Sequence, residues 1–251
     1  MLVVSLLFGV LLGGLIEVLQ FFTGRYMEWQ DIFTDMLGAL LGFLVVQYSR
    51  PLMLRPMGNL SNPVIVLLSI IVLLVAFYSV FYIVKDELMM EADFPMIADF
   101  ESEETLARWD NEFVEQFVID NQLKTEGKSS ALVEFGIGDY PGAALEVIYP
   151  DWSAYTFLNI SIHNDQSDNL DVEVKVYDRQ HQQTGYEYSD RFNHEVSIKP
   201  GWSTLQIKLL DILNSPQGRT MDISDIAGFS LFIHDPDEIK RIHLDNIHLS
   251  N

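Results

Sequence analysis

Five polar residues interrupt apolar surroundings early in the chain: Glu17, Gln20, Arg25, Asp31 and Asp35. Glu17 and Gln20 are three apart and Asp31 and Asp35 four apart, so each pair shares one face of a helix. A carboxylate at the centre of a membrane helix costs about 2.5–3.5 kcal/mol on insertion scales, so such a group is normally paired, hydrated or functional. Arg25 is the one nearby cation that can balance Glu17, Asp31 and Asp35. Two arrangements satisfy this chemistry. The charges either lie at the membrane interface and clamp a helical hairpin, or Glu17 enters a deeper, paired site.

The elements that must position them are apolar runs. The 251 residues divide sharply in composition. Residues 1–90 hold four Lys/Arg and six Asp/Glu, whereas residues 91–251 hold eleven against thirty, a net of −19, together with all six His. The pattern reads as a membrane part followed by an acidic, water-facing part. Such acidity repels polyanions, which argues against nucleic acid and anionic lipid heads as partners. Without cysteine there are no disulfides and no thiolate metal sites. The run 64–84 has no charged residue; at about 1.5 Å per residue it can cross a bilayer core of about 30 Å. Runs 1–22 and 32–48 are two further spans. The first lacks the basic start and small-residue cleavage site of a signal peptide. Arg50 and Arg55, in a connection without acids, place that loop in the cytoplasm by the positive-inside rule. The chain beyond residue 84 then lies outside.

Glu17-x-x-Gln20, Gly24-Arg25, Asp31 and Gly38-x-x-x-Gly42 resemble the VanZ-like membrane proteins over residues 5–48. Asp35 stands where that family usually has Asn, and family members usually carry further helices before this motif. The resemblance implies a bacterial envelope protein, of a family whose name comes from glycopeptide resistance. Gly9-x-x-x-Gly13 and Gly38-x-x-x-Gly42 would let the two helices approach closely.

Residues 85–96 read as a linker and 97–251 as one domain. A short helix is expected near 103–109. Beyond Lys128, alternating runs predict strands at 131–135, 143–149, 156–163, 170–177, 194–198, 203–209, 228–234 and 241–249. In 170–177, Leu170, Val172, Val174 and Val176 alternate with Asp171, Glu173, Lys175 and Tyr177; Leu158, Ile160 and Ile162 repeat the design. One buried and one wet face per strand predicts an antiparallel β-sandwich, with spacing suited to a jelly roll.

The stretches DFES, YPGAALEV, DWSAYTFLNISIHN, DRFN, KPGWSTLQIKLLDI and HLDNIHL resemble galactose-binding-like jelly rolls. The nearest are carbohydrate-binding modules of family eleven type and complex I intermediate-associated domains. The resemblance implies a non-catalytic binding fold with sugar as the commonest ligand. Sugars need flat apolar platforms flanked by polar groups. Tyr155, Phe157, Asn159 and His163 on one strand, Tyr177 and Arg179 on the next, and Tyr186, Tyr188 and Arg191 in the following loop supply both. The alternative is that these rings simply cover the sandwich. Jelly rolls of this type often tie their first and last strands with calcium. Asp99, Glu101 and Asp245 offer the hard oxygen ligands for it, although surface acids are common on so acidic a domain. No strained nucleophile turn, P-loop or H-E-x-x-H motif is present, so catalysis is not expected in the soluble part.

These readings predict a multi-pass protein of the bacterial inner membrane. Three transmembrane helices anchor an extracytoplasmic jelly roll that binds a neutral glycan or another envelope ligand. The alternatives are a membrane catalyst or resistance factor acting through the polar hairpin, and a structural partner for another membrane protein.

Overall fold

The computed structural model describes residues 29–49, 62–112 and 114–251. Two compact units divide at Lys85, Met1–Lys85 and Asp86–Asn251. In the first, helix α1 (Trp29–Ser49) and helix α2 (Asn62–Asp93) meet where Leu44 packs with Ile65 and Val72. Leu37, Leu40 and Leu41 border that contact, whereas Gly38 and Gly42 face open space. Most other apolar side chains of α2 are exposed, among them Leu74, Phe77 and Phe81. Among the described residues no helix is long and apolar enough to cross a membrane; the helical backbone of α2 runs unbroken from Asn62 to Asp93. Glu17, Gln20, Arg25, span 1–22 and the Arg50–Arg55 loop lie outside the described residues, as does the Asp31 side chain. Asp35 is exposed on α1. The linker expected at 85–96 is corrected: KDELMMEAD is rich in good helix formers, and α2 continues through it to Asp93.

The second unit is an antiparallel β-sandwich of jelly-roll type. Its strands are β1 (Met96–Ala98), β2 (Trp109–Glu112), β3 (Val114–Asp120), β4 (Ser130–Phe135), β5 (Gly142–Leu145) and β6 (Phe157–Asn164). They continue with β7 (Leu170–Asp178), β8 (Phe192–Ile198), β9 (Gly201–Lys208), β10 (Ile226–Phe232) and β11 (Lys240–Ser250). One sheet has the order β3-β4-β11-β6-β9, with β1 also on β11; the other is β2-β5-β10-β7-β8. Short helices α3 (Glu103–Ala107), α4 (Arg179–Gln183) and α5 (Leu209–Leu213) fill connections.

Alternation builds the core. Val172, Val174 and Val176 of β7, Phe229 and Leu231 of β10, and Leu158, Ile160 and Ile162 of β6 point inward and are fully buried. Trp152, Phe100 and Phe135 join the same cluster. Strands β1, β2 and β3 were not expected from the sequence. β1 is only three residues long, and WDNE in β2 lacks apolar alternation. Tertiary pairing decides both: β2 is held by partners such as Trp109 with Leu145.

Candidate functional site

The outer face of the five-stranded sheet carries an open cleft. Inward Ala143 and Leu145 leave Gly142 and Ala144 facing out of β5; inward Phe229 and Leu231 leave Ser230 and Phe232 facing out of β10. Register lines up Asp110, Ala144, Ser230, Lys175 and Asn193 across the five strands. A neighbouring row sets Gly142, Phe232, Glu173 and Glu195 side by side. Gly142 is required there, because a Cβ would come within 2.6 Å of the Phe232 Cβ. Small residues thus make a low floor. Around it stand Tyr140, Glu146, Tyr188, Arg191 and His234, enclosing about 430 Å³.

The walls hold one another in place. Tyr140, 58% exposed, sits edge-on to Phe232 and His234 at centroid distances of 6.2 and 5.2 Å. Tyr188, also in the lining, is 61% exposed. Its hydroxyl donates to Glu173 Oε1 at 3.3 Å, while His234 Nε2 lies 2.6 Å from Glu173 Oε2. The Arg191 guanidinium covers the Tyr188 ring at 5.1 Å and donates to Asn193 Oδ1. Burial and the Arg191 cation push the Lys175 ammonium below its ordinary pKa. Burial and Glu173 push the Tyr188 phenol up.

The wall containing Tyr188 belongs to a loop clamped from below. Asp178 caps α4 by accepting from His181 N–H. Its buried carboxylate receives both terminal nitrogens of Arg219, at 2.6 and 2.8 Å, and the Asp222 N–H. The third guanidinium nitrogen, Nε, reaches Asp190. Burial alone would raise the Asp178 carboxyl, yet these donors hold it below its ordinary value. Arg219 holds Asp190 down at about 2. The α4 segment ends through Gly185 and Tyr186 in the left-handed region (φ 79° and 62°), which turns the chain back over the sheet.

The structure separates the residues expected to share one surface. Phe157, Asn159 and His163 lie on β6 with Tyr155 just before it, in the six-stranded sheet; Tyr177 lies on β7, in the other. The outer faces of the two sheets point in opposite directions, so the single surface is corrected. Tyr155 is half-buried, edge-on to Phe94. Asn159 donates to Ser250 Oγ. Tyr177 does face outward from the valines, but it is only 4% exposed, lying over Gly228 beside His181. Burial and Glu146 push its phenol up to about 12. Arg179 pairs with Asp225 in the open, and Tyr186 stands edge-on to His181. Of the expected set, Tyr188 and Arg191 line the cleft. Tyr140, Lys175, Phe232 and His234 were missed, although Gly228, Ser230, Phe232 and His234 alternate visibly with Phe229, Leu231 and Ile233.

The acids expected to hold calcium are engaged with backbone donors. Asp245 Oδ2 accepts from the N–H groups of Thr125 and Glu126 and from the Thr125 hydroxyl. Glu101 accepts from Lys128 and Ser129 N–H. Asp99 accepts from Glu101 N–H. Among the described residues, ligand-type side chains converge elsewhere: His163, Asp165 and His243, and Glu173, Glu195 and His234.

The VanZ/LLP1 family model matches residues 1–55. No curated protein sequence matches the chain. The solved structure of an exo-β-agarase is similar at a TM-score of 0.51 and 18% identity, over 62% of this chain and 24% of the agarase. A family 11 carbohydrate-binding module from Clostridium thermocellum, in complex with a β-1,3-1,4-mixed-linked tetrasaccharide, gives 0.48 and 15%, over 62% of this chain and 94% of the module. A second agarase, AgWH50C, gives 0.47 and 16%, over 62% of this chain and 26% of that enzyme. The chain thus spans about a quarter of the length of either agarase. The first likeness shows the fold.

Proposed function

We propose that the cleft on the five-stranded sheet binds a neutral carbohydrate, as part of a membrane-anchored protein of the bacterial envelope. One observation carries the binding reading. Two exposed tyrosines, Tyr140 and Tyr188, line one cleft whose floor includes Gly142, Ala144 and Ser230. Flat rings suit the C–H faces of a sugar, while Lys175, Asp110, Glu146 and Arg191 offer donors and acceptors for hydroxyls. The mixed charge of these groups suits a neutral ligand better than a polyanion. Anchoring rests on the uncharged 64–84 stretch of α2 and the exposed apolar side chains along it. Arg50 and Arg55 would hold their loop on the cytoplasmic side, and the sandwich outside.

A glycan array probed with the detergent-solubilised full chain tests the binding. Wild type is expected to bind neutral oligosaccharides with little dependence on salt, and Tyr140→Ala to lose them. Binding that survives Tyr140→Ala and Tyr188→Ala together would remove the cleft from this role. Reporter fusions after Asn251 and near Met57 test the topology. Activity of the first inside the cytoplasm would reverse it.

A further inference from the structure

We propose that His163, Asp165 and His243 form a binding site for a divalent transition-metal ion of the zinc class, on the outer face of the six-stranded sheet. The site lies on the sheet opposite the cleft and does not depend on the carbohydrate reading.

The strands bring the residues together. His163 of β6 and His243 of β11 are register partners. Both face away from the core, which takes the alternating Ile162, Ile242 and Leu244. Asp165 follows the end of β6, and its N–H bonds the Arg241 carbonyl, turning the chain back towards β11. One oxygen, Asp165 Oδ1, then lies 2.6 Å from His163 Nδ1 and 3.2 Å from His243 Nδ1. On the far side of the His243 ring, Nε2 lies 3.1 Å from Asp120 Oδ2. The Trp202 ring stands edge-on to His163 at 5.2 Å.

Counting protons exposes a conflict. A neutral imidazole has one N–H, yet His243 meets a carboxylate at both nitrogens. One N–H cannot serve both carboxylates, and the side chain is only 5% exposed. A metal ion between the two Nδ1 atoms and Asp165 Oδ1 resolves this. His243 then keeps its proton on Nε2 and donates it to Asp120, while its Nδ1 lone pair meets the ion. A carboxylate behind a ligating imidazole is the usual outer support of such a centre.

The dimensions and donor types agree. The ligand atoms of the three residues all lie within 4.8 Å of one another. Tetrahedral bonds of about 2.0–2.2 Å need ligand atoms about 3.3 Å apart. The His243–Asp165 distance already meets that, and the His163–Asp165 distance must open by about 0.7 Å. Asp165 can accommodate this opening because it lies beyond the strand end beside an open cleft lined by Gln166, Ile239 and Arg241. Two imidazoles and one carboxylate without a thiolate suit zinc, cobalt or nickel rather than calcium. The fourth position is left for water.

The test uses untagged full chain stripped with chelator, titrated with Zn²⁺ by calorimetry and with Co²⁺ by visible absorbance. The expected result is one ion per chain at micromolar affinity or tighter, a raised melting temperature, and no competition from Ca²⁺. His163→Ala and Asp165→Asn, both at solvent-reached positions, are expected to weaken binding at least tenfold while leaving the metal-free melting temperature near that of wild type. His234→Ala, in the cluster with Glu173 and Glu195, is expected to bind as wild type does. Affinity no tighter than millimolar, or retained in both His163→Ala and Asp165→Asn, would overturn the site. Loss on His234→Ala alone would overturn it too, by placing the ion in the cleft.

Discussion

Glu173 tethers Tyr188: its Oε1 accepts the phenolic hydrogen bond at 3.3 Å. Because Glu173 is 4% exposed and also meets His234 through Oε2, one buried carboxylate holds two residues that line the cleft. The wall is therefore built before any ligand arrives, which lowers the ordering cost of binding.

Removing the ring and removing its tether should have different effects. Tyr188→Ala is expected to weaken glycan binding about tenfold, because an aromatic face contributes about 0.5–1.5 kcal/mol beyond its buried area. Tyr188→Phe keeps the platform and is expected to fall by no more than a few-fold. Calorimetric titration with a bound oligosaccharide checks the pair; equal losses would assign the effect to the hydroxyl.

The Asp178–Arg219 clamp gives a stability prediction. Asp178 is completely buried and Arg219 supplies two of its bonds. Arg219→Ala leaves a buried carboxylate without its cation, which is expected to cost about 3–5 kcal/mol. Arg179→Ala removes an exposed pair with Asp225 and should cost less than about 1 kcal/mol. Denaturant melts of the two variants make the comparison.

Two windows of pH dependence follow from the same loop. His181 is fully buried, its ring nitrogens have no hydrogen-bond partner, and Asp190 Oδ2 at 3.6 Å is too far to serve as one. Burial, aided by Arg191, pushes its pKa below the ordinary 6.5. Below 6.5 the unfolded chain therefore binds more protons than the folded one, and stability falls as pH falls. His181→Leu is expected to flatten the melting temperature between pH 7.5 and 5. Asp190 works at lower pH. Its depressed pKa of about 2 against the ordinary 3.8 gives stability that is complete above 3.8 and lost towards 2. A further drop there should disappear in Asp190→Asn.

Asp245 distinguishes a loop clamp from an ion site. Its carboxylate accepts two N–H groups and a hydroxyl from the segment joining β3 and β4. Asp245→Ala leaves those donors unpaired, at about 1–3 kcal/mol. If the clamp is its whole role, the melting temperature falls equally in chelator and in calcium. A loss larger in calcium would show that the ion expected from Asp99, Glu101 and Asp245 binds there.

Strand phase was legible in the sequence, but sheet membership was not. The alternation of Leu158, Ile160 and Ile162 with Phe157, Asn159 and Ser161 sets their faces correctly, as it does for Val172, Val174 and Val176. Nothing in either run says that β6 pairs with β11 and β9 while β7 pairs with β10 and β8. Those partners are brought together by long-range closure of the sandwich, so two outward surfaces looked like one. The cleft was half legible for the same reason. Tyr188 and Arg191 sit in a loop conspicuous for its aromatic and polar residues, whereas Tyr140 and Phe232 reach the site from segments far apart in the sequence. Strand β2 was illegible because its stability comes from its neighbour β5 rather than from its own residues.

The contact between Tyr177 and Gly228 ties two distant positions into one unit of variation. The phenol ring occupies the space where a Cβ at 228 would stand, on paired strands that lie together in the middle of the sheet. A side chain at 228 must therefore evict the ring at 177, and with it the surface on which His181 rests. Among descendants of this sequence, the two sites should change together or not at all. A lineage that drifts to alanine at 228 has to shrink residue 177 first, which would let the clamped loop sink and reshape the cleft.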